Sequence, residues 1–174
     1  MATYFVSENF IKTNSVVTAN VDATDFTPLV ELAAKAYVKP MIGTYFFDDL
    51  LTKYNNQTLS SDELLVVEKM QYAILWRVNA EATLTLTYQL KNKGIMKQND
   101  ENAESVALDE VTFMYNNYIQ YATYFQSELK KFLMDNKDDF PVFLDILNKD
   151  SSVRSLCVCG GGTDYNEGTG FMII

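Results

Sequence analysis

Apolar residues recur at intervals of three and four along most of the chain, which is the spacing of one face of an α-helix. The clearest case is a heptad stripe in the second half, formed by Val111, Tyr115, Tyr118, Ala122, Phe125, Leu129 and Phe132. A stripe of this kind packs along another helix at a shallow angle. The neighbouring helix can belong to the same chain or to another subunit, and the spacing leaves both possibilities open.

The same helix is apolar on a second side, where Met114, Tyr121 and Tyr124 lie. A helix that is apolar on more than one face is predicted to be sandwiched between neighbours. Its four tyrosines, Tyr115, Tyr118, Tyr121 and Tyr124, are therefore the predicted interface residues of this helix.

Another long helix is predicted to begin at a capping box, Ser60-Ser61-Asp62-Glu63, in which a serine hydroxyl and a glutamate carboxylate satisfy each other's backbone N–H groups. Its apolar stripe consists of Leu64, Val67, Met70, Ile74, Leu75 and Val78. Residues 83–88 alternate between threonine and larger residues, as in a strand. Helix is favoured over strand there because no glycine or proline occurs before Gly94, which begins a polar linker to Asn102.

Shorter helices are predicted on either side of this pair. Thr27-Pro28 starts one that Pro40 ends, so that it runs to about Lys39. Gly43 supplies a turn, and a second short helix runs from Thr44 to about Tyr54. The expected buried face of that second helix is Phe46, Phe47, Leu50 and Leu51.

Acidic residues near the end of the chain predict a last short helix. Asp138 and Asp139 favour its start through their charge at the helix N-terminus, and it is expected to run from Phe140 to Leu147. The predicted fold is therefore mostly α: an antiparallel helical bundle with two long helices, two or three short helices and an extended C-terminal arm.

The two ends of the chain differ from this helical domain, residues 27–148. Residues 1–26 are predicted to form an arm or loop. Residues 149–174 contain five of the seven glycines and finish with the apolar segment Phe171-Met172-Ile173-Ile174. This segment is predicted to dock onto a partner, because an isolated monomer would be expected to hide such an apolar tip. A tail that folds back on its own bundle is the alternative.

Composition limits the class of protein. With 48% hydrophobic and 13% aromatic residues, the chain is too apolar to be disordered, and its apolar runs are far shorter than the roughly 20 residues of a membrane span. The first residues lack the basic start and apolar core of a secretory signal. The protein is therefore expected to stay in the cytoplasm where it is made.

Candidate chemistry is sparse. The chain contains no histidine, which excludes serine-triad and histidine-ligated metal sites. Cys157 and Cys159 offer two of the four ligands that zinc needs, and adjacent acids such as Asp48 and Asp49 point about 100° apart on a helix. A net charge of -9 argues against broad gripping of nucleic acid. We expect no enzyme activity, no cofactor and no metal.

A succession of short motifs resembles a known family. Its parts are Tyr4-Phe5-Val6-Ser7, Asn14-Ser15-Val16-Val17, Asn20-Val21-Asp22, Lys39-Pro40-Met41-Ile42-Gly43-Thr44-Tyr45 and Asp48-Asp49-Leu50-Leu51. Together they resemble the head-to-tail connector (adaptor) proteins of tailed bacteriophages, over roughly residues 4–135. The most specific element is the corner from Pro40 to Leu51. The abundance of asparagine and tyrosine further resembles a portal-adjacent ring protein of a crAss-like phage.

This resemblance implies a structural virion protein, made in the host cytoplasm and built into the neck. It implies a ring of twelve subunits that contacts the portal and further tail or ring proteins, with DNA passing through the lumen without sequence-specific binding. Negative charge suits such a channel because like charge keeps DNA from sticking. The alternative from another class is a small acidic regulatory or inhibitor protein that binds a basic protein partner.

Overall fold

The computed structural model describes residues 4–15, 23–91, 94–97 and 108–149 of the chain. These residues form seven α-helices and one β-hairpin. The helices are α1 (Glu8–Asn14), α2 (Ala23–Ala33), α3 (Lys39–Ile42), α4 (Thr44–Asn56), α5 (Ser61–Thr87), α6 (Leu108–Asp135) and α7 (Pro141–Lys149). The hairpin pairs β1 (Tyr88–Lys91) with β2 (Gly94–Lys97) in antiparallel register. The predicted mostly helical bundle with two long helices is confirmed.

The two long helices run antiparallel and pack along each other. Lys69 of α5 lies over the ring of Phe132, and further along α5 the ring of Tyr72 stacks on that of Phe125. Residue numbers thus rise along one helix as they fall along the other. The heptad stripe packs within the chain, and its members Val111, Ala122 and Leu129 are buried.

Helix α5 begins at the predicted capping box. The backbone N–H of Ser60 donates to Glu63 Oε2 at 2.9 Å, and the N–H of Glu63 donates to Ser60 Oγ at 3.2 Å. Five of the six predicted stripe residues are buried: Val67, Met70, Ile74, Leu75 and Val78. The sixth, Leu64, is 53% exposed, so its assignment to the buried stripe was wrong.

The end of α5 combines both conformations that the alternating segment suggested. The helix continues to Thr87, and a strand follows from Tyr88. Threonine is accommodated in the helix because Thr83 Oγ1 and Thr85 Oγ1 donate back to the carbonyls of Asn79 and Glu81. The linker predicted from Gly94 to Asn102 is corrected over 94–97, which form β2, and the rest of it lies outside the described residues.

The sequence predicts that Pro40 ends the preceding helix, and this prediction is wrong. A π-helical turn, Ala34–Val38, leads into α3, and the N–H of Lys39 donates to the carbonyl of Ala34, five residues back. The proline ring would clash with a carbonyl four residues earlier in a regular α-helix. A wider turn before Pro40 relieves that conflict, so the helical path continues to Ile42.

Helix α2 begins at Ala23, four residues before the predicted start at Thr27, and contains Pro28. The earlier start places Phe26 on the same face as Leu29 and Val30, and all three are buried. Burial of the phenylalanine offsets part of the cost of a proline inside the helix.

The N-terminal region is not simply an arm or loop. Ser7 caps α1 by accepting the N–H of Phe10, and Ile11 is buried. Phe5 is fully buried against the rings of Phe47 and Tyr54, at 5.4 and 5.3 Å between centroids. Its carbonyl accepts hydrogen bonds from Tyr54 Oη and from Gln71 Nε2. Aromatic burial therefore holds this region on the bundle.

Helix α7 closes the other end. Asp138 and Asp139 form a 3-10 turn before it, and its start and end lie within two residues of the prediction. The ring of Phe143 packs 5.6 Å from that of Phe46, so α7 is held on α4, whose predicted face is buried except for half-buried Leu51. The predicted C-terminal arm, with Cys157, Cys159 and Phe171–Ile174, lies outside the described residues.

Gly43 is predicted to be irreplaceable at the corner between α3 and α4. Its φ is +88°, and a Cβ there would lie 2.8 Å from Ile146 Cγ2. Gly43→Ala should lower the free energy of unfolding by about 2–4 kcal/mol in urea denaturation, through backbone strain and the clash. In an Ile146→Ala background the same change should cost less, because the clash is gone. A neutral Gly43→Ala substitution would contradict this account.

Glu63 should make stability depend on pH. Burial raises its pKa, but the hydrogen bonds from Lys53 Nζ and the Ser60 N–H outweigh burial and hold the pKa below 4.5. Its stabilising contribution is therefore present above pH 4.5 and lost as pH falls through the lowered pKa. Glu63→Gln should cost about 1 kcal/mol at pH 7 and progressively less toward pH 3, measured by urea denaturation. An equal loss of stability at pH 7 and at pH 3 would contradict this account.

Candidate partner-binding face

Large apolar side chains are exposed along one side of the α5–α6 pair. On α6 these are Phe113 (67% exposed), Met114 (43%), Tyr121 (50%) and Tyr124 (59%), and Leu65 of α5 is 46% exposed. We call these five residues the aromatic face. They are five of the eleven large hydrophobic side chains that are exposed among the described residues.

The aromatic face is distinct from the surface that joins α6 to α5. At 100° per residue, Phe113, Tyr121 and Tyr124 lie within about 80° of one another around the helix. The centre of the buried heptad stripe, at Ala122 and Leu129, is turned by about 90° from Tyr121 and by roughly 150–170° from Tyr124 and Phe113. Among the described residues, one side of α6 is therefore packed and a second apolar side is exposed.

The four predicted interface tyrosines divide between these two sides. Tyr121 and Tyr124 belong to the aromatic face, whereas Tyr115 and Tyr118 are half-buried on the side of α6 that carries the heptad stripe. The ring of Trp76 contacts one tyrosine from each side. Its centroid lies 4.9 Å from that of Tyr121 and 5.9 Å from that of Tyr118. The remaining predicted interface residues, Phe171–Ile174, lie outside the described residues.

A groove of about 240 Å³ runs between α5 and α6 beside Tyr124. It is lined by Leu65, Glu68, Lys69, Tyr72, Tyr124, Phe125 and Glu128. The rings of two lining residues, Tyr72 and Phe125, stack on each other with centroids 5.3 Å apart and an interplanar angle of 21°. The ring of Tyr124 meets that of Phe125 edge-on at 5.2 Å.

Sequence reasoning missed Phe113 of the face and the groove residues Glu68, Tyr72 and Glu128. Phe113 could have been found as a large apolar residue outside the heptad stripe. The groove could not have been found from the sequence. Glu68 and Glu128 are 60 residues apart in the chain and come together only through the register of their two helices.

The acidic pair Asp48 and Asp49 does not converge on one site. Lys39 Nζ lies 2.8 Å from Asp48 Oδ1, and Lys53 Nζ lies 2.7 Å from Asp49 Oδ2, so each carboxylate has its own ion pair. Across the described ranges, no group of three or more cysteine, aspartate or glutamate side chains is arranged to hold a metal ion. None of the described helices is long and apolar enough to cross a membrane.

Comparison with known proteins identifies the family. The sequence profile of DUF6712, a family of unknown function, matches residues 38–152, about two-thirds of the chain. The chain belongs to the DUF6712 family. The DUF6712 region begins at the last residue of the π-helical turn and includes α3 to α7, so it contains the whole aromatic face and groove. No curated protein and no solved structure matches the chain significantly.

The aromatic face should be dispensable for folding. Phe113→Ser should change the free energy of unfolding by less than about 0.5 kcal/mol, because the side chain is already in solvent. Leu129→Ala, on the buried side of the same helix, should cost about 2–5 kcal/mol. Urea denaturation of both variants measures the contrast. A large loss of stability in Phe113→Ser would show that this residue serves the fold.

Proposed function

We propose that this chain is a structural virion protein at the neck of a tailed bacteriophage. Its copies form a ring, twelvefold in the family it resembles, that joins the portal to the tail components. DNA passes through the lumen of the ring. The protein performs no catalysis; its work is to bind its own copies and its neighbours.

The aromatic face carries this proposal. Aromatic residues and methionine are enriched at protein interfaces, and exposed apolar side chains grouped on one side of a helix pair are typical of a surface that a partner covers. Phe113, Tyr121 and Tyr124 project from a helix whose other side is packed on α5, so a partner can bind them without disturbing the fold. This arrangement suits a subunit that folds first and assembles afterwards.

The corner from Pro40 to Leu51 adds support from the sequence resemblance. Gly43 is buried there under Ile146, and the next helix buries Phe46, Phe47 and Leu50. The motif thus corresponds to a defined turn between two helices. A ring subunit benefits from such a rigid turn because many copies must present the same surfaces.

The charge of the chain fits a channel. Seven carboxylates of the described chain are ion-paired to lysine or arginine, and the net charge remains -9. An acidic lumen lets DNA slide because it offers few cations for the phosphates to bind.

A second candidate function is that of a small acidic regulatory protein that binds one basic partner. The net charge of -9 favours it, since complementary charge speeds association. The two candidates differ in stoichiometry: the regulator forms a one-to-one complex, whereas the connector forms a closed ring.

Imaging and mass measurement test the neck assignment. We expect the chain to form rings when mixed with the portal protein of its own genome, and to be found at the neck of purified particles by electron microscopy. Phe113→Ser combined with Met114→Ser should reduce ring formation at least about tenfold, as expected when central interface contacts are lost. Val142→Ser, which removes an exposed apolar residue from α7, is the matched control. A chain that enters neither a ring nor a particle would overturn the proposal.

A further inference from the structure

The groove between α5 and α6 has the composition of a site for a single cationic side chain. At about 240 Å³ it is smaller than the roughly 300–1,000 Å³ of small-molecule pockets. Three of its seven lining residues are aromatic, Tyr72, Tyr124 and Phe125, and we call their rings the aromatic floor. Aromatic faces attract cations, and most strongly where water is partly excluded.

Two carboxylates lie beside this aromatic floor without partners of their own. Within the described ranges, Glu68 and Glu128 make no ion pair or hydrogen bond, although seven other carboxylates are ion-paired. Other described carboxylates without an ion pair, Asp62, Asp109, Asp135, Asp138 and Asp139, are exposed and lie outside the groove. Glu68 and Glu128 differ from them because both line the groove beside its aromatic rings.

The lysine of the groove leaves these carboxylates available. Lys69 Nζ lies 5.1 Å from the ring centroid of Phe132. Its charge is therefore placed over a ring that does not line the groove. The groove keeps an excess of negative charge on a chain that is itself acidic.

We propose that this groove binds an arginine side chain presented by a basic partner protein. A guanidinium is flat and can pack against the aromatic rings of the groove, and its N–H groups can donate to carboxylates on two sides. The inference rests on the proposed function for the partner's identity as a neighbouring protein of the particle. The groove chemistry itself belongs to the isolated chain and is tested there.

The test uses the full chain, labelled with ¹⁵N, and acetyl-arginine methylamide as the probe. Titration should shift the amide signals of groove residues on both α5 and α6. Acetyl-citrulline methylamide has nearly the same shape without the charge, and it should bind at least about fivefold more weakly. Equal binding of the two probes would overturn the proposal.

Variants separate the groove from general electrostatic attraction. Glu68→Gln combined with Glu128→Gln should weaken arginine binding at least about fivefold, because the carboxylates are lost while their shape is kept. Asp135→Asn combined with Asp138→Asn removes the same charge from exposed positions outside the groove and should leave binding within about twofold of the wild type. Tyr124→Leu keeps the site apolar but removes a ring face, so it should also weaken binding. Circular dichroism and urea denaturation check that each variant is folded.

The remaining outcomes are also decisive. Unchanged binding in the double glutamine variant would exclude the groove as the site. Self-association in sedimentation velocity that disappears in that variant would assign the groove to a second copy, and would overturn a heterologous partner. If arginine binds as expected but the chain never joins a neck, the neck proposal fails and the site remains.

Discussion

Burial of α5 on two sides is the constraint on which the rest of the structure depends. This helix packs against α2 on one side and along α6 on the other, and Met70, Ile74 and Leu75 are fully buried. A 27-residue helix in this position provides a straight support for the shorter elements. The N-terminal segment also depends on it, since Gln71 of α5 donates to the carbonyl of the buried Phe5.

The same packing decides which surfaces remain available. Once the heptad stripe of α6 is used against α5, its second apolar side has no partner within the described chain, and the aromatic face results. The register of the two helices then brings Glu68 and Glu128 to one groove over an aromatic floor. A ring subunit needs both properties: a core that folds alone, and a separate surface that is stabilised only on assembly.

In the proposed neck ring, these surfaces have different tasks. The aromatic face provides apolar area and therefore binding free energy. The groove provides selectivity, because two carboxylates without ion pairs accept a cationic side chain and disfavour an acidic one. An acidic protein that must hold its own copies while letting DNA pass needs this division of tasks.

Local sequence determined much of the fold because the signals were local. The capping box at Ser60 and Glu63, the heptad stripe of α6 and the turn at Gly43 each depend on residues close together in the chain, and all three appear in the structure. Each signal comes from the spacing of neighbouring residues a few positions apart in the chain. The second apolar side of α6 could be predicted from the sequence for the same reason.

Tertiary contacts decided the rest. Pro40 was compatible with a helix end, and a π-helical turn instead carries the chain on to the buried Ile42. The N-terminal segment lacked a strong helical pattern, but burial of Phe5 against Phe47 and Tyr54 fixes it on the bundle. By itself the sequence determined most of the helical segments and their apolar faces, although it missed α1 and the hairpin. Only the tertiary structure decided which apolar face is packed and which stays exposed among the described residues, because that depends on the register between helices distant in sequence.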